Sequence, residues 1–249
     1  MADRVQLFHT CLVNEIDPAV GFAVARVLER AGCDVDVPRD QTCCGQPAYN
    51  AGFHDEARDV ARHTIDVLSR TDGPIVIPSG SCADMLVHQY PRLFEDDGAM
   101  RERALAVAGR CREFSQFVSS RMPNGVGGQL EASVAYHPSC HLLRGLGVRD
   151  EPGALMRAVD GVREFPFADQ DECCGFGGLF SVKNPEISSS MLERKIANLE
   201  TSGADRIVSC DLGCLMHIGG GLHRRGSKLR TQHLAQLLDE AAGNAGPRE

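Results

Sequence analysis

Apolar residues recur along the chain with two alternating periods. Short apolar runs at 5–8 and 75–77 are typical of buried strands, whereas segments 18–31 and 54–69 place apolar residues at the i, i+3, i+4 and i+7 positions of an amphipathic helix. Strand and helix signals alternate in both halves of the chain. This alternation predicts parallel β-α-β units, and therefore an α/β fold.

A vicinal cysteine pair followed by glycine occurs twice, as Cys43-Cys44-Gly45 and as Cys173-Cys174-Gly175. One cysteine precedes each triplet and another follows it, with nearly constant offsets between the two halves. The sequence therefore contains two tandem copies of one module. The matching cysteines are Cys11, Cys43, Cys44 and Cys82 in the first copy and Cys140, Cys173, Cys174 and Cys214 in the second.

These patterns predict two tandem similar modules, each a small parallel sheet flanked by helices, with cysteines at strand-to-helix junctions. The first module is expected at residues 1–121, a glycine-containing linker at 122–131 and the second module at 132–249. Residues 99–120 are predicted to form one helix that closes the first module. Ligands of open α/β sheets bind at the carboxyl ends of the strands, so the cysteines are expected to meet there, with both triplets on the same side.

Charge and hydropathy indicate which partners and which cellular compartment to expect for the protein. The chain has 249 residues and a net charge of −8, which argues against nucleic acid as a partner because nucleic-acid binding needs a basic face. The N-terminal residues lack a basic segment followed by a long apolar run, and no run of about 18 apolar residues occurs. We therefore expect a cytoplasmic protein without a membrane span.

The cysteines themselves indicate a metal centre. Eleven cysteines without an export signal favour metal binding over disulfides, and adjacent cysteines make strained disulfides with each other. Zinc sites usually contain Cys-x-x-Cys, which does not occur here, whereas iron-sulfur clusters accept more varied spacing. We predict one or two 4Fe-4S clusters per chain, with zinc as the alternative. The predicted ligands are Cys11, Cys43, Cys44, Cys82, Cys140, Cys173, Cys174 and Cys214.

The other cysteines and the neighbouring histidines are interpreted separately. Cys33 and Cys111 have no counterpart in the other copy and are expected to be packing residues, whereas Cys210 stays open as a ligand. The glycine of each triplet is expected to approach the cluster closely or to adopt a positive φ. Four histidines beside the cysteines are candidates for hydrogen bonds to a cluster: His9, His137, His141 and His217.

The repeat resembles the duplicated cysteine-rich domain family that includes the cysteine-rich component of heterodisulfide reductase, the glycolate oxidase iron-sulfur subunit and lactate utilization protein A. The stretches Tyr-His-Pro-Ser-Cys-His-Leu-Leu-Arg-Gly-Leu-Gly at 136–147 and Pro-Ser-Gly-Ser-Cys-Ala at 78–83 are most similar to the lactate utilization group. One feature departs from the family pattern. The heterodisulfide reductase motif ends in Cys-x-x-Cys, but Ser79 and Asp211 occupy the earlier of these two positions here. This departure favours a four-thiolate cluster, or occupancy of only one site, over the five-cysteine cluster of that protein.

The resemblance implies a function that composition and spacing do not. It implies an iron-sulfur electron-transfer subunit that acts with two companion lactate-utilization subunits, B-like and C-like, in the oxidation of L-lactate to pyruvate. Such a subunit is not expected to be catalytic alone. The alternatives are a zinc- or iron-stabilised scaffold subunit, or a subunit of a related 2-hydroxy acid oxidase or heterodisulfide reductase-type complex.

Overall fold

The computed structural model describes residues 3–243 and contains one parallel sheet from each half of the sequence. The apolar runs form the inner strands, which are buried because helices cover the sheets. In chain order the first half contains β1 (Asp3–Leu7), α1 (Cys11–Ile16), α2 (Pro18–Arg30), β2 (Cys33–Asp36), α3 (Gln46–Asn50), α4 (His54–Leu68), β3 (Ile75–Ile77), α5 (Gly80–Asp84), a π-helical turn (Met85–Gln89), α6 (Tyr90–Leu93), α7 (Gly98–Arg110), β4 (Cys111–Glu113) and α8 (Phe114–Arg121).

The second half repeats the plan of the first. Its elements are β5 (Gln129–Tyr136), a π-helical turn (His141–Gly145), α9 (Glu151–Arg157), β6 (Asp160–Glu164), α10 (Leu179–Lys183), α11 (Pro185–Glu200), β7 (Arg206–Ser209), α12 (Leu212–Arg224), β8 (Arg230–His233) and α13 (Leu234–Ala241).

The two sheets have the same topology. The strand order is β2-β1-β3-β4 in the first and β6-β5-β7-β8 in the second, and every neighbouring pair is parallel. In these orders β1 and β5 occupy equivalent positions in the two sheets, as do β3 and β7. The predicted fold class, two tandem α/β modules with parallel sheets, is confirmed.

The two modules pack against each other through their closing helices. Helix α13 packs on α2 of the first module, and α8 packs on α9 of the second. Apolar side chains from both halves, such as Val24 and Leu238, belong to one buried cluster. The division into 1–121, 122–131 and 132–249 stays a prediction; β5 begins at Gln129, inside the predicted linker, and residues 1–2 and 244–249 lie outside the described residues.

The prediction of a single helix over 99–120 is wrong. The structure divides this segment into α7, the three-residue strand β4 and α8. Cys111 is therefore the first residue of a strand, where it pairs in register with Ile75 of β3. The structure also contains the edge strand β8, which the sequence pattern did not reveal.

The helices were also compared with the length and hydropathy of a bilayer span. Within residues 3–243, none is both long enough and apolar enough to cross a membrane.

Candidate metal centre

The eight cysteines of the repeat meet at one cavity between the two modules. The cavity has a volume of about 170 Å³, and all eight cysteines line it. It lies where the carboxyl ends of the strands deliver the chain to the following helices, as expected for an open α/β sheet. The two triplets therefore face the same space. The role of these cysteines as ligands stays a prediction.

The thiols of the first module form two close pairs. The Cys11 Sγ lies 3.6 Å from the Cys43 Sγ, and the Cys44 Sγ lies 3.4 Å from the Cys82 Sγ. These separations are far longer than a disulfide bond, and all eleven cysteines of the chain are free thiols. Four cysteines from three separate segments are thus gathered at the cavity.

The second module repeats the arrangement with its own four thiols. The Cys174 thiol lies 3.3 Å from the Cys214 Sγ, and Cys140 forms a hydrogen bond with Cys173. Cys174 and Cys214 are buried, whereas Cys140 and Cys173 are half-buried. Each set has the composition that an iron-sulfur cluster or a zinc ion requires from a protein.

The glycine of each triplet has the backbone conformation that its role requires. Gly45 has φ +81° and Gly175 has φ +90°, in the region that residues with a Cβ rarely adopt. Their amides lie 3.5 Å from the Cys43 Sγ and 3.4 Å from the Cys173 Sγ, and so donate to these sulfurs. The expectation of a positive φ is confirmed at both positions.

The backbone is strained immediately before the first cysteine of the first set. Thr10, the residue before Cys11, is buried and has φ 63° with ψ 149°, a conformation that β-branched residues rarely adopt. Such strain costs about 1–3 kcal/mol and persists only where the surrounding structure fixes it. The sequence pattern held no signal for this feature.

Hydrogen bonds among the thiols lower the pKa of some cysteines and raise the pKa of others. Hydrogen bonds from the Cys11 and Cys44 thiols hold the pKa of Cys43 well below its usual range, and those from Cys140 and Cys174 do the same for Cys173. The pKa of Cys11 is raised, first by its hydrogen bond to Cys43 and then by burial. A bound cation replaces these shared protons, so metal binding releases them.

Ser79 and Asp211 occupy the places where the heterodisulfide reductase pattern has a further cysteine. The Asp211 carboxylate accepts hydrogen bonds from the Ser79 Oγ at 3.1 Å and the Ser81 amide at 3.0 Å. Ser79 belongs to the first module and Asp211 to the second. These residues therefore connect the two modules at the lining of the cavity.

The histidines near the cysteines fall into different environments. The His141 Nδ1 lies 2.8 Å from a carboxylate oxygen of Asp84 in the other module, and this hydrogen bond raises the pKa of His141. The His217 Nε2 lies 3.3 Å from the Ser188 Oγ. The His9 Nδ1 lies 3.2 Å from the carbonyl oxygen of Thr10.

His137 differs from the other three histidines. Its side chain is completely buried, and neither ring nitrogen has a hydrogen-bond partner in the structure. Burial, with a smaller effect of the charge of Lys195, lowers the pKa of His137 to about 3. One ring nitrogen lies within 4.8 Å of the sulfurs of Cys174 and Cys214.

The three cysteines outside the repeat do not line the cavity. Cys33 and Cys111 are buried among apolar side chains, in agreement with a packing role. The Cys210 Sγ lies 3.8 Å from the Tyr136 hydroxyl, and Cys210 belongs to the apolar cluster that both modules share. Burial first of all raises its pKa, so this thiol remains protonated.

Taken together, the fold and the site define a class of protein: a duplicated α/β domain whose cysteines converge on one cavity. A family model described as "Cysteine-rich domain" matches the chain twice, at residues 5–87 and 134–219.

Curated proteins support the same grouping. Lactate utilization protein A of Exiguobacterium sp. is 43% identical over 97% of this chain and 99% of its own length. The protein of that name from Shouchella clausii is 42% identical over 95% of this chain and 98% of its own. The chain belongs to the cysteine-rich domain family that contains lactate utilization protein A.

A solved structure, titled as a hypothetical protein from Helicobacter pylori, shares the fold. It covers the whole of this chain with a TM-score of 0.68 at 10% sequence identity, and the chain spans half the length of that protein. At this identity the likeness shows the architecture only.

Proposed function

We propose that this chain is the iron-sulfur electron-transfer subunit of a complex that oxidises L-lactate to pyruvate. The observation that carries the proposal is the convergence of eight cysteines, four from each module, on one cavity. The name of the relatives supplies the metabolic context, since proteins 43% identical over nearly the whole chain are named for lactate utilization. Zinc binding by the same residues is the alternative, and the metal that the purified chain contains distinguishes it from an iron-sulfur cluster.

Four cysteines of each module would hold one cluster, of the 4Fe-4S type. When bound, such clusters supply one-electron transfer. The chain contributes the thiolates, and it excludes water from one side of each site by burying Cys44, Cys82, Cys174 and Cys214. The residues that would hold the two clusters are Cys11, Cys43, Cys44 and Cys82, and Cys140, Cys173, Cys174 and Cys214.

Backbone amides adjust the charge at the sulfurs. The amides of Gly45 and Gly175 donate to Cys43 and Cys173, and a hydrogen bond to a ligating sulfur stabilises its negative charge. In iron-sulfur proteins such hydrogen bonds help to set the reduction potential. Both modules have this feature, so it does not distinguish the two sites.

The chemistry of the substrate requires companions. Oxidation of L-lactate to pyruvate removes two electrons and two protons from the substrate, and a carrier of single electrons does not itself perform the proton removal. We therefore assign the substrate site to the companion subunits, B-like and C-like, and assign this chain to electron transfer in the cytoplasm.

The proposal is tested by reconstitution. Lactate-dependent dye reduction should be absent with the anaerobically purified chain alone, low with the companions alone, and high with the complete set. The Cys174→Ser variant should reduce the activity of the set at least about tenfold, because loss even of a residue that only supports a metal ligand typically costs about 10–100-fold in metal affinity or activity. Cys111→Ser, which changes a thiol outside the cavity, is the matched control and should retain activity.

Two results would contradict the proposal in different ways. Rapid turnover by the chain alone would show that it contains a substrate site. A colourless chain that binds zinc, together with full activity in a set that lacks it, would identify a scaffold rather than an electron carrier.

A further inference from the structure

The imidazole of His137 is a buried polar group without a partner. Its side chain is fully shielded from solvent, and neither Nδ1 nor Nε2 makes a hydrogen bond. Such a group destabilises the fold unless it meets a ligand, because its lost hydration is not replaced. An unpartnered histidine at this depth therefore indicates a bound group that interacts with it.

The backbone fixes this imidazole beside the second cysteine set. The His137 amide donates to the Val208 carbonyl at 2.8 Å, which extends the pairing of β5 with β7. Pro138 follows and favours an extended conformation at His137. A ring nitrogen thereby lies within 4.8 Å of the sulfurs of Cys174 and Cys214, which are 3.3 Å apart.

The first module has a different residue at the matching position. Phe8 lies three residues before Cys11, as His137 lies three residues before Cys140, and both directly follow the matching strands β1 and β5. The Phe8 side chain is fully buried in one apolar cluster with Cys44 and Cys82. The first cysteine set therefore has an apolar ring at the place where the second has a potential nitrogen ligand.

A buried lysine adds to the difference between the two sites. Lys195 is 2% exposed, and its Nζ donates to the carbonyl oxygens of Asp169 at 2.7 Å and Gln170 at 3.0 Å. Its charge acts on the thiols of Cys173 and Cys174. The second site is thus built to hold a negatively charged group next to a fixed cation.

We propose that His137 supplies a nitrogen ligand to iron in the cluster of the second module, in addition to its four cysteines, so that the two centres of the chain differ chemically. This inference rests on the proposed function, since it assumes that the cysteine sets hold clusters. A neutral imidazole is the ligating form of histidine, and its bond to iron is formed without loss of a proton. The second centre thereby gains a neutral ligand that the first lacks, and the charge that its four thiolates bring is unchanged.

Pulsed electron paramagnetic resonance tests the assignment. The chain is labelled with ¹⁵N-histidine, loaded with iron and sulfide, and reduced with dithionite. The wild type should show the strong nitrogen coupling of an iron-bound imidazole. His137→Phe, which installs the residue of the first module, should lose this coupling. His217→Gln removes a histidine that contacts Ser188 instead and should retain it.

Iron content and rescue separate a ligand from a packing residue. His137→Phe should keep the iron of the first site and lose that of the second to a chelator about 10–100-fold more readily, since the four cysteines remain but the supporting nitrogen is gone. His137→Cys offers a thiolate at the same place and should recover iron without the nitrogen coupling. Far-ultraviolet circular dichroism confirms that each variant is folded.

The outcomes distinguish this inference from the proposed function. A wild-type chain that binds no iron overturns both. A wild-type chain that binds iron but shows no strong nitrogen coupling, or a nitrogen coupling that persists in folded His137→Phe, overturns only the assignment of His137.

Discussion

At the scale of single residues, the glycines of the two triplets differ in how much space a side chain would have. A Cβ built on Gly175 would lie 2.7 Å from the carbonyl oxygen of Ser188, a backbone atom that cannot rotate away. A Cβ on Gly45 would lie 3.3 Å from a methyl group of Val60. Both positions have a positive φ, but only the second module adds a severe backbone clash.

We therefore expect Gly175→Ala to be more harmful than Gly45→Ala. The positive φ alone should lower the free energy of unfolding by about 1–2 kcal/mol in each variant. The clash at Gly175 should cost about 1–3 kcal/mol more, as overpacking does in protein cores. Urea denaturation of the chain without metal measures both values.

Gly220→Ala is the control for this comparison. Gly220 lies in α12 with nothing within 4 Å of an added Cβ and without a positive φ. Alanine there should raise the free energy of unfolding by about 0.4–1 kcal/mol. Equal losses in Gly175→Ala and Gly45→Ala would show that the contact with Ser188 is not decisive.

The sequence revealed some of these residues and not others. Duplication identified the eight cysteines that line the cavity, because nearly the same spacing in two copies is a strong signal. It could not separate His137 from the other histidines, since burial and missing partners depend on tertiary packing. The unusual φ of Thr10 is likewise set by its surroundings and not by its residue type.

At the scale of secondary-structure elements, the sequence pattern fails where an element is short or at an edge. The strand β4 has three residues and lies between two helices with apolar faces, so one helix appeared to continue through it. The strand β8, Arg-Thr-Gln-His, has no apolar residue and is held by backbone pairing with β7. Both are edge strands, which need less apolar character than the central ones.

The packing of α13 on α2 includes an ion pair that can be tested. Arg26 donates to the Asp239 Oδ2 through its Nε at 2.8 Å and its terminal nitrogen at 2.5 Å. The Asp239 side chain is 4% exposed and that of Arg26 is 37% exposed. Removing the arginine therefore leaves a buried carboxylate without its counter-ion.

We expect Arg26→Met to lower the free energy of unfolding by about 2–3 kcal/mol, below the range for a fully buried pair because Arg26 is partly exposed. Arg149→Met removes an exposed pair with Asp171, 3.8 Å long, and should change stability by less than about 1 kcal/mol. Thermal and urea denaturation provide the comparison. Equal effects would mean that burial of Asp239 does not matter.

At the scale of the whole molecule, the two modules are joined by reciprocal packing of their closing helices. The cavity lies between the two modules, and the hydrogen bond between Ser79 and Asp211 joins one module to the other. The duplication predicted two similar modules and a common side for both triplets. It did not predict that α8 and α13 each pack on the opposite module, because pairing between distant helices leaves no periodic signal in the sequence.

The central claim is that each module's four cysteines hold one iron-sulfur cluster. The most direct test is the iron and acid-labile sulfide content of the anaerobically reconstituted chain, compared with the variants Cys44→Ser and Cys174→Ser, with Cys111→Ser as control. Each ligand variant should lose about half of the iron and sulfide together, along with thermal stability, because metal that binds only the folded state stabilises it. Iron and sulfide contents that are the same in all four proteins, or zinc without sulfide in the wild type, would contradict the claim.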